Sequence, residues 1–457
     1  MGQGRARSAA RILVVVLLAV VVAEASAALA LAIARVVRPS RFTIPRGYFE
    51  ERIGGDARLR ARLAEPGFDA TLGWQPVPGS TRTFTGPSGA VWTARYDADG
   101  ARRDELNATG GGPARIAAFG DSFTHGDEVE DDQTWEHELA ILVDAPVRNF
   151  GVGAYGTDQA VLRLERQLDE GLDVEIVVLG IHEENVNRIV NRYRPYYLPT
   201  DPLTLGFKSR FVLDGDVLRL VPNPLNPTRH GPPTVGECLD DASHDDYWFA
   251  RNADRPQLAP PFTYQLLKLA LDVAAEKELI GANPLASLPR DAWLDPGASR
   301  LMTALVERFA SVAHARAIMP VLLVLPDLGN GTSWDGTTAY QPWLAELRRN
   351  PATSSLVVVD MAERIGNGHG FRVRSDGGHA SVEGNRQIAR ALAERIRPLL
   401  GDHMVLQRDG TALWGIATLG STIAMRSPVC ERRMTRMRAA RGPSRSATAS
   451  HRAARST

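Results

Sequence analysis

Two strings far apart in the chain carry the residue types of nucleophilic catalysis. The first is Ala118-Phe119-Gly120-Asp121-Ser122-Phe123-Thr124 and the second is Asp376-Gly377-Gly378-His379. A serine hydroxyl is a weak nucleophile on its own and needs a base within hydrogen-bond reach, itself oriented by a third group. The second string offers both partners, an acid and an imidazole separated by two glycines that let the loop fold back. This pattern predicts Ser122 as nucleophile, His379 as general base and then general acid toward a leaving alcohol, and Asp376 as the carboxylate that holds the ring. Taken singly, the strings have plainer readings. G-D-S is common in turns, Asp376 could cap the helix that begins near Ser381, and His379 could be a helix-start residue bonded to backbone. Their joint occurrence at two sheet edges favours chemistry.

The elements that would position these residues follow from the hydrophobic pattern. Apolar strand-like runs at 115 to 120, 147 to 151, 175 to 180, 318 to 326 and 356 to 360 alternate with helical periodicity at 133 to 143, 157 to 170, 298 to 316, 341 to 349 and 382 to 399. Such alternation predicts an α/β fold with one doubly wound parallel sheet and helices on both faces. Ser122 then falls at the C-terminal end of the first strand, the edge where open parallel sheets bind ligands. The proline-rich stretch from about 190 to 260 breaks the alternation and reads as an insertion, followed by a helix from about Phe262 to Leu279.

G-D-S-F-T followed much later by D-x-x-H resembles the SGNH (GDSL) hydrolases, over roughly residues 113–400 without the insertion. The resemblance implies a three-layer α/β/α sandwich of flavodoxin-like type with a five-stranded parallel sheet, and ester hydrolysis or acyl transfer with no metal and no cofactor. It also implies three oxyanion donors: the backbone N–H of Ser122, a glycine N–H after the second strand, and an asparagine side chain after the third. Pre-aimed donors of this kind are each worth ~3 kcal/mol of barrier. In this chain the second donor falls at Ala154 or Gly153. The family's G-x-N-D is replaced by Gly180-Ile181-His182-Glu183-Glu184-Asn185, so Asn185 is the candidate third donor and Asn187 the alternative.

Around this centre, His125, His182, Asn187 and Arg188 are candidate substrate contacts. His125 could equally be a half-exposed histidine on the first helical turn. Arg188, Arg192 and Arg194, interleaved with Tyr193, Tyr196 and Tyr197, could face a sugar or a carboxylated polymer, or could simply pack at the surface.

Composition sets outer bounds. The chain has 457 residues, 44% of them hydrophobic, enough for a packed core. Lys plus Arg equals Asp plus Glu at 53 each, so net charge offers no argument for nucleic acid as a partner. Cys238 and Cys430 lack the spacing of a zinc or redox pair and read as free thiols.

At the N-terminus, Arg5, Arg7 and Arg11 precede an apolar run from Ile12 to Ala34 broken by Glu24 alone. That run is long enough for a signal anchor over residues 1–36, with a cleaved signal peptide as the competing reading. Arg35, Arg38, Arg41 and Arg46 beyond it weaken the charge argument for orientation. An extracytoplasmic catalytic domain is the expectation.

Residues 37–112 read as a stalk and small β lead-in, 113–400 as the catalytic domain, and 401–457 as a basic, disordered tail. The expected substrate is an acylated carbohydrate or other small ester. The rival activities are an O-acetyltransferase using the same triad and a non-catalytic, membrane-tethered glycan-binding module.

Overall fold

The computed structural model describes residues 2–400 apart from 87–88, 90, 105–113, 200–205, 227–230, 277–291, 329–337, 367, 369 and 375–376. The chain opens with helix α1 (Gly2–Val37). Strands β1 (Thr81–Thr85) and β2 (Val91–Arg95) then pair as an antiparallel hairpin. Five strands follow: β3 (Ile116–Phe119), β4 (Val147–Asn149), β5 (Ile176–His182), β6 (Met319–Leu325) and β7 (Val357–Asp360). All their pairings are parallel, in the spatial order β7-β6-β5-β3-β4. Each lies within or beside an expected run, and the order is that of a flavodoxin-like doubly wound sheet.

The strands are apolar throughout because both faces are covered. Ala117, Phe119, Val177, Leu179, Leu322 and Val324 point into one core and Ile116, Ala118, Ile176, Val178, Val321 and Leu323 into the other, the two-residue period of a pleated strand. Helices α2 (Thr157–Asp169) and α3 (Pro296–His314) close the first face; α4 (Trp135–Val143) and α5 (Val382–Ile396) close the second. A side chain such as Leu164 or Leu392, fully removed from water, contributes ~1.5–3 kcal/mol. These helices coincide with the periodic segments to within a few residues.

The region from 190 to 260 is more regular than its prolines suggest. Its described residues include a hairpin, Arg210–Asp214 with Val217–Val221, and helices at Arg194–Tyr197, Val235–Ser243 and Tyr247–Asp254. Cys238 is a buried free thiol pushed up to about 12 by burial; Cys430 lies outside the described residues.

Helix α1 is long and apolar enough over Ala10–Val37, with a mean hydropathy of 2.8, to cross a membrane. Its single acidic residue has a structural task. Glu24 accepts from the backbone N–H groups of Phe262 (2.6 Å) and Thr263 (3.1 Å) and from the Thr263 hydroxyl. The carboxylate therefore caps helix α6 (Phe262–Glu276), which packs along α1 and buries Ala27 and Leu31.

Candidate active site

The order β7-β6-β5-β3-β4 places the switch point of the sheet between β3 and β5, and the candidate nucleophile sits there. Beyond β3 the chain turns at Gly120 into one helical turn, Ser122–His125. The turn is tight on every side. A Cβ on Gly120 would lie 2.8 Å from the Gly180 carbonyl, and one on Gly151 would lie 2.3 Å from the His125 nitrogen. Only glycine lets β3, β4 and β5 converge so closely on the serine turn.

Asp121 caps this turn and ties it to the third strand. One carboxylate oxygen accepts from the Phe123 N–H at 2.9 Å; the other accepts from the Asn185 amide at 2.9 Å and from Arg188 at 3.2 Å. Arg188 is buried and also reaches Glu184 (2.6 Å) and the Tyr155 carbonyl (3.0 Å). Asn185 and Arg188 thus stand behind the nucleophile as its support. Asn187 lies further away, accepting from the Ala292 N–H and donating to the Tyr197 hydroxyl. Arg192 is likewise buried, among Asp241, Asp246 and Pro222.

The backbone groups named as candidate oxyanion donors are unengaged. Among the described residues, the N–H groups of Ser122, Gly153 and Ala154 donate to no protein acceptor. Ala154 holds its backbone in the left-handed region at φ 68°, an uncommon setting for a residue with a side chain. Gly153 sits close to Asp127, whose carboxylate oxygen would be 3.5 Å from a Cβ there.

On either side of 375–376, β8 (Arg372–Arg374) pairs with β9 (Gly377–Ala380), and β9 packs directly on the serine turn. His379 arrives from β9, its ring 5.1 Å from that of Phe123, the neighbour of Ser122. Asp376 lies outside the described residues. The cap of α5 falls to Ser381, whose hydroxyl accepts from the Gly384 N–H at 3.0 Å.

Against the Nδ1 of His379 stands a carboxylate that the motifs did not flag. Glu128 Oε2 lies 3.1 Å from Nδ1 and accepts from the His379 backbone N–H at 2.9 Å. On the other side of the ring, Nε2 is 3.9 Å from Asp127. Burial alone would push this imidazole down, but the hydrogen bond to Glu128 and the charges of Asp127, Glu128 and Asp121 outweigh it and raise its pKa.

The remaining histidines differ. His125 is buried with both nitrogens taken, Nδ1 by Asp127 at 2.5 Å and Nε2 by the Tyr96 hydroxyl at 2.8 Å. His182 ends β5 with its ring stacked on Phe123 at 4.2 Å. Burial lowers it to about 4, so it is neutral, and its Nε2 has no hydrogen-bond partner among the described residues. Among the described residues, no group of three His, Cys, Asp or Glu side chains is arranged to hold a metal ion.

No family model matches the chain, and no curated protein matches it. Solved structures resemble it at low identity. A member of the lipolytic protein G-D-S-L family from Veillonella parvula is 10% identical, over 62% of this chain and 97% of that one, with a TM-score of 0.32. A possible lipase from Chitinophaga pinensis is 11% identical, over 62% of this chain and 98% of that one, with a TM-score of 0.29.

Proposed function

We propose that the chain is a serine ester hydrolase of the SGNH (GDSL) type that removes O-acyl groups, acetyl foremost, from a carbohydrate or other small ester. The observation that carries this reading is the imidazole of His379, backed on Nδ1 by a buried carboxylate and brought by β9 onto the turn that bears Ser122. The D-x-x-H spacing offers Asp376 as the carboxylate behind that ring, and Glu128 is the one found there among the described residues.

In the first half-reaction His379 takes the Ser122 proton as Oγ attacks the acyl carbon. The carbonyl oxygen becomes an oxyanion that the N–H groups of Ser122 and Gly153 or Ala154 can receive. Collapse breaks the bond to the sugar oxygen, which leaves with the proton from His379. Water then repeats the sequence on the acyl-enzyme and releases the acid. Asp121, Asn185 and Arg188 hold the serine turn in place through the hydrogen bonds that meet at the Asp121 carboxylate.

The apolar helix α1 and the single-pass anchor it suggests would tether this activity to a membrane surface, with the catalytic domain outside the cytoplasm and a surface glycan as the reachable substrate. Ser122→Ala is expected to eliminate turnover of an aryl acetate and labelling by a fluorophosphonate. Retention of either would refute the nucleophile. Offering an acceptor oligosaccharide separates hydrolase from O-acetyltransferase, because only transfer yields acetylated sugar.

A further inference from the structure

The loop that leaves the serine turn, Gly126-Asp127-Glu128, carries two consecutive acidic residues inward, Asp127 to a half-buried position and Glu128 to a buried one. A carboxylate is costly to bury unless it is paired and hydrogen-bonded. Glu128 meets that condition through His379. Its side chain is 0% exposed, and Oε2 faces both Nδ1 and the backbone N–H of His379. The backbone of Glu128 is in the left-handed region at φ 68°, where a residue with a side chain is strained. The hairpin β1–β2 leaves room for it: a Cβ on Gly86 would come within 2.5 Å of Glu128 Oε1. A strained backbone, a fully buried charge and a glycine that makes way for it accompany the contact with His379.

We infer that Glu128 is the positioning residue of the base, the carboxylate that orients His379 and fixes its tautomer. The inference rests on Ser122 and His379 acting as proposed above, and transfers the orienting task from the D-x-x-H aspartate to a residue six positions after the nucleophile. A carboxylate only accepts, so Nδ1 carries the proton and Nε2 presents its lone pair. Accepting from the backbone N–H as well anchors β9 at the same point, so ring and strand are registered together. The imidazolium formed when Nε2 takes the serine proton is stabilised by the adjacent negative charge.

The test compares Glu128→Gln, Glu128→Gly, Asp376→Asn and Ser122→Ala in the full chain, reading kcat/KM for an aryl acetate across pH together with thermal melting. Glu128→Gln is expected to lower kcat on the order of 100-fold or more and to move the acid limb to lower pH, because the charge that raises the imidazole is gone. Glu128→Gly removes the carboxylate while relieving the left-handed strain, so part of the stability lost with the His379 N–H bond is returned, and the folded fraction is expected to show the same loss of turnover.

A purely structural Glu128 would give the reverse, normal turnover in the glycine variant. Parent-like kcat and pH profile in Glu128→Gln, or loss confined to Asp376→Asn, would overturn the assignment. Ser122→Ala keeps the two readings apart. Activity surviving in it defeats the hydrolase reading, whereas an inactive Ser122→Ala beside a parent-like Glu128→Gln defeats only the role of Glu128.

Discussion

One loop feeds carboxylates to two histidines, and the two pairs have opposite characters. His125 is enclosed, with a carboxylate on one nitrogen and a phenol on the other, and burial lowers its pKa more than Asp127 raises it. His379 has 23% of its side chain exposed, is held on one nitrogen, and is raised overall by Glu128, Asp127 and Asp121. Asp127 touches both, directly at Nδ1 of His125 and at 3.9 Å from Nε2 of His379. An imidazole with both nitrogens satisfied by protein has nothing left to offer a substrate, whereas one held on a single side keeps a lone pair for work. Partnership, more than burial, separates the enclosed histidine from the one proposed as base.

The contrast breaks first at the two histidines themselves. His379→Ala is expected to reduce kcat/KM by on the order of 10³-fold or more with little change in melting temperature, since it removes the base and leaves the core intact. His125→Ala is expected to do the opposite. It orphans a buried Tyr96 hydroxyl and a carboxylate oxygen of Asp127, and should cost ~2–4 kcal/mol in a denaturant titration, while the folded fraction retains most of its turnover. Loss of turnover without loss of stability in His125→Ala would erase the distinction.

A gentler probe of the same contrast is pH. The base must be neutral to accept the serine proton, so kcat/KM should rise as pH passes upward through the pKa of His379, which lies above the ordinary histidine value of 6.5. His125 and His182, both lowered, are already neutral in that range and should leave no inflection there. An acid limb below 6.5 in the parent would mean that the surrounding carboxylates do not govern the ring.

The strands of the sheet and the serine turn were legible because their causes are local. Continuous apolar runs such as Val177–Leu179 mean strands covered on both faces, and Gly120 before Ser122 means a tight exit from one of them. Glu128 was not legible. In the sequence it is one acid among several in Asp127-Glu128-Val129-Glu130-Asp131-Asp132, a composition that reads as solvated surface. Its role depends on a left-handed backbone and on the approach of β9 from a point 251 residues further on.

The insertion hid its hairpin behind prolines, although Asp214-Gly215-Asp216 between Arg210–Asp214 and Val217–Val221 carried a turn signal in plain view. The cluster of Arg188, Arg192 and Tyr193, which left a sugar-facing surface and plain packing both open, is buried and ties the insertion to the switch point.

The finest test falls on Asp127, the residue common to both pairs. Asp127→Asn keeps the size of the side chain and removes its charge, so both imidazoles lose a neighbouring negative charge that raises them. For His125 the change is silent in activity, since that ring is already neutral. For His379 the acid limb should move to lower pH, by less than in Glu128→Gln, because Asp127 acts on it at 3.9 Å without the hydrogen bond that Glu128 makes at 3.1 Å. A larger displacement in Asp127→Asn than in Glu128→Gln would reverse the ranking, and would make the shared carboxylate the one that sets the base.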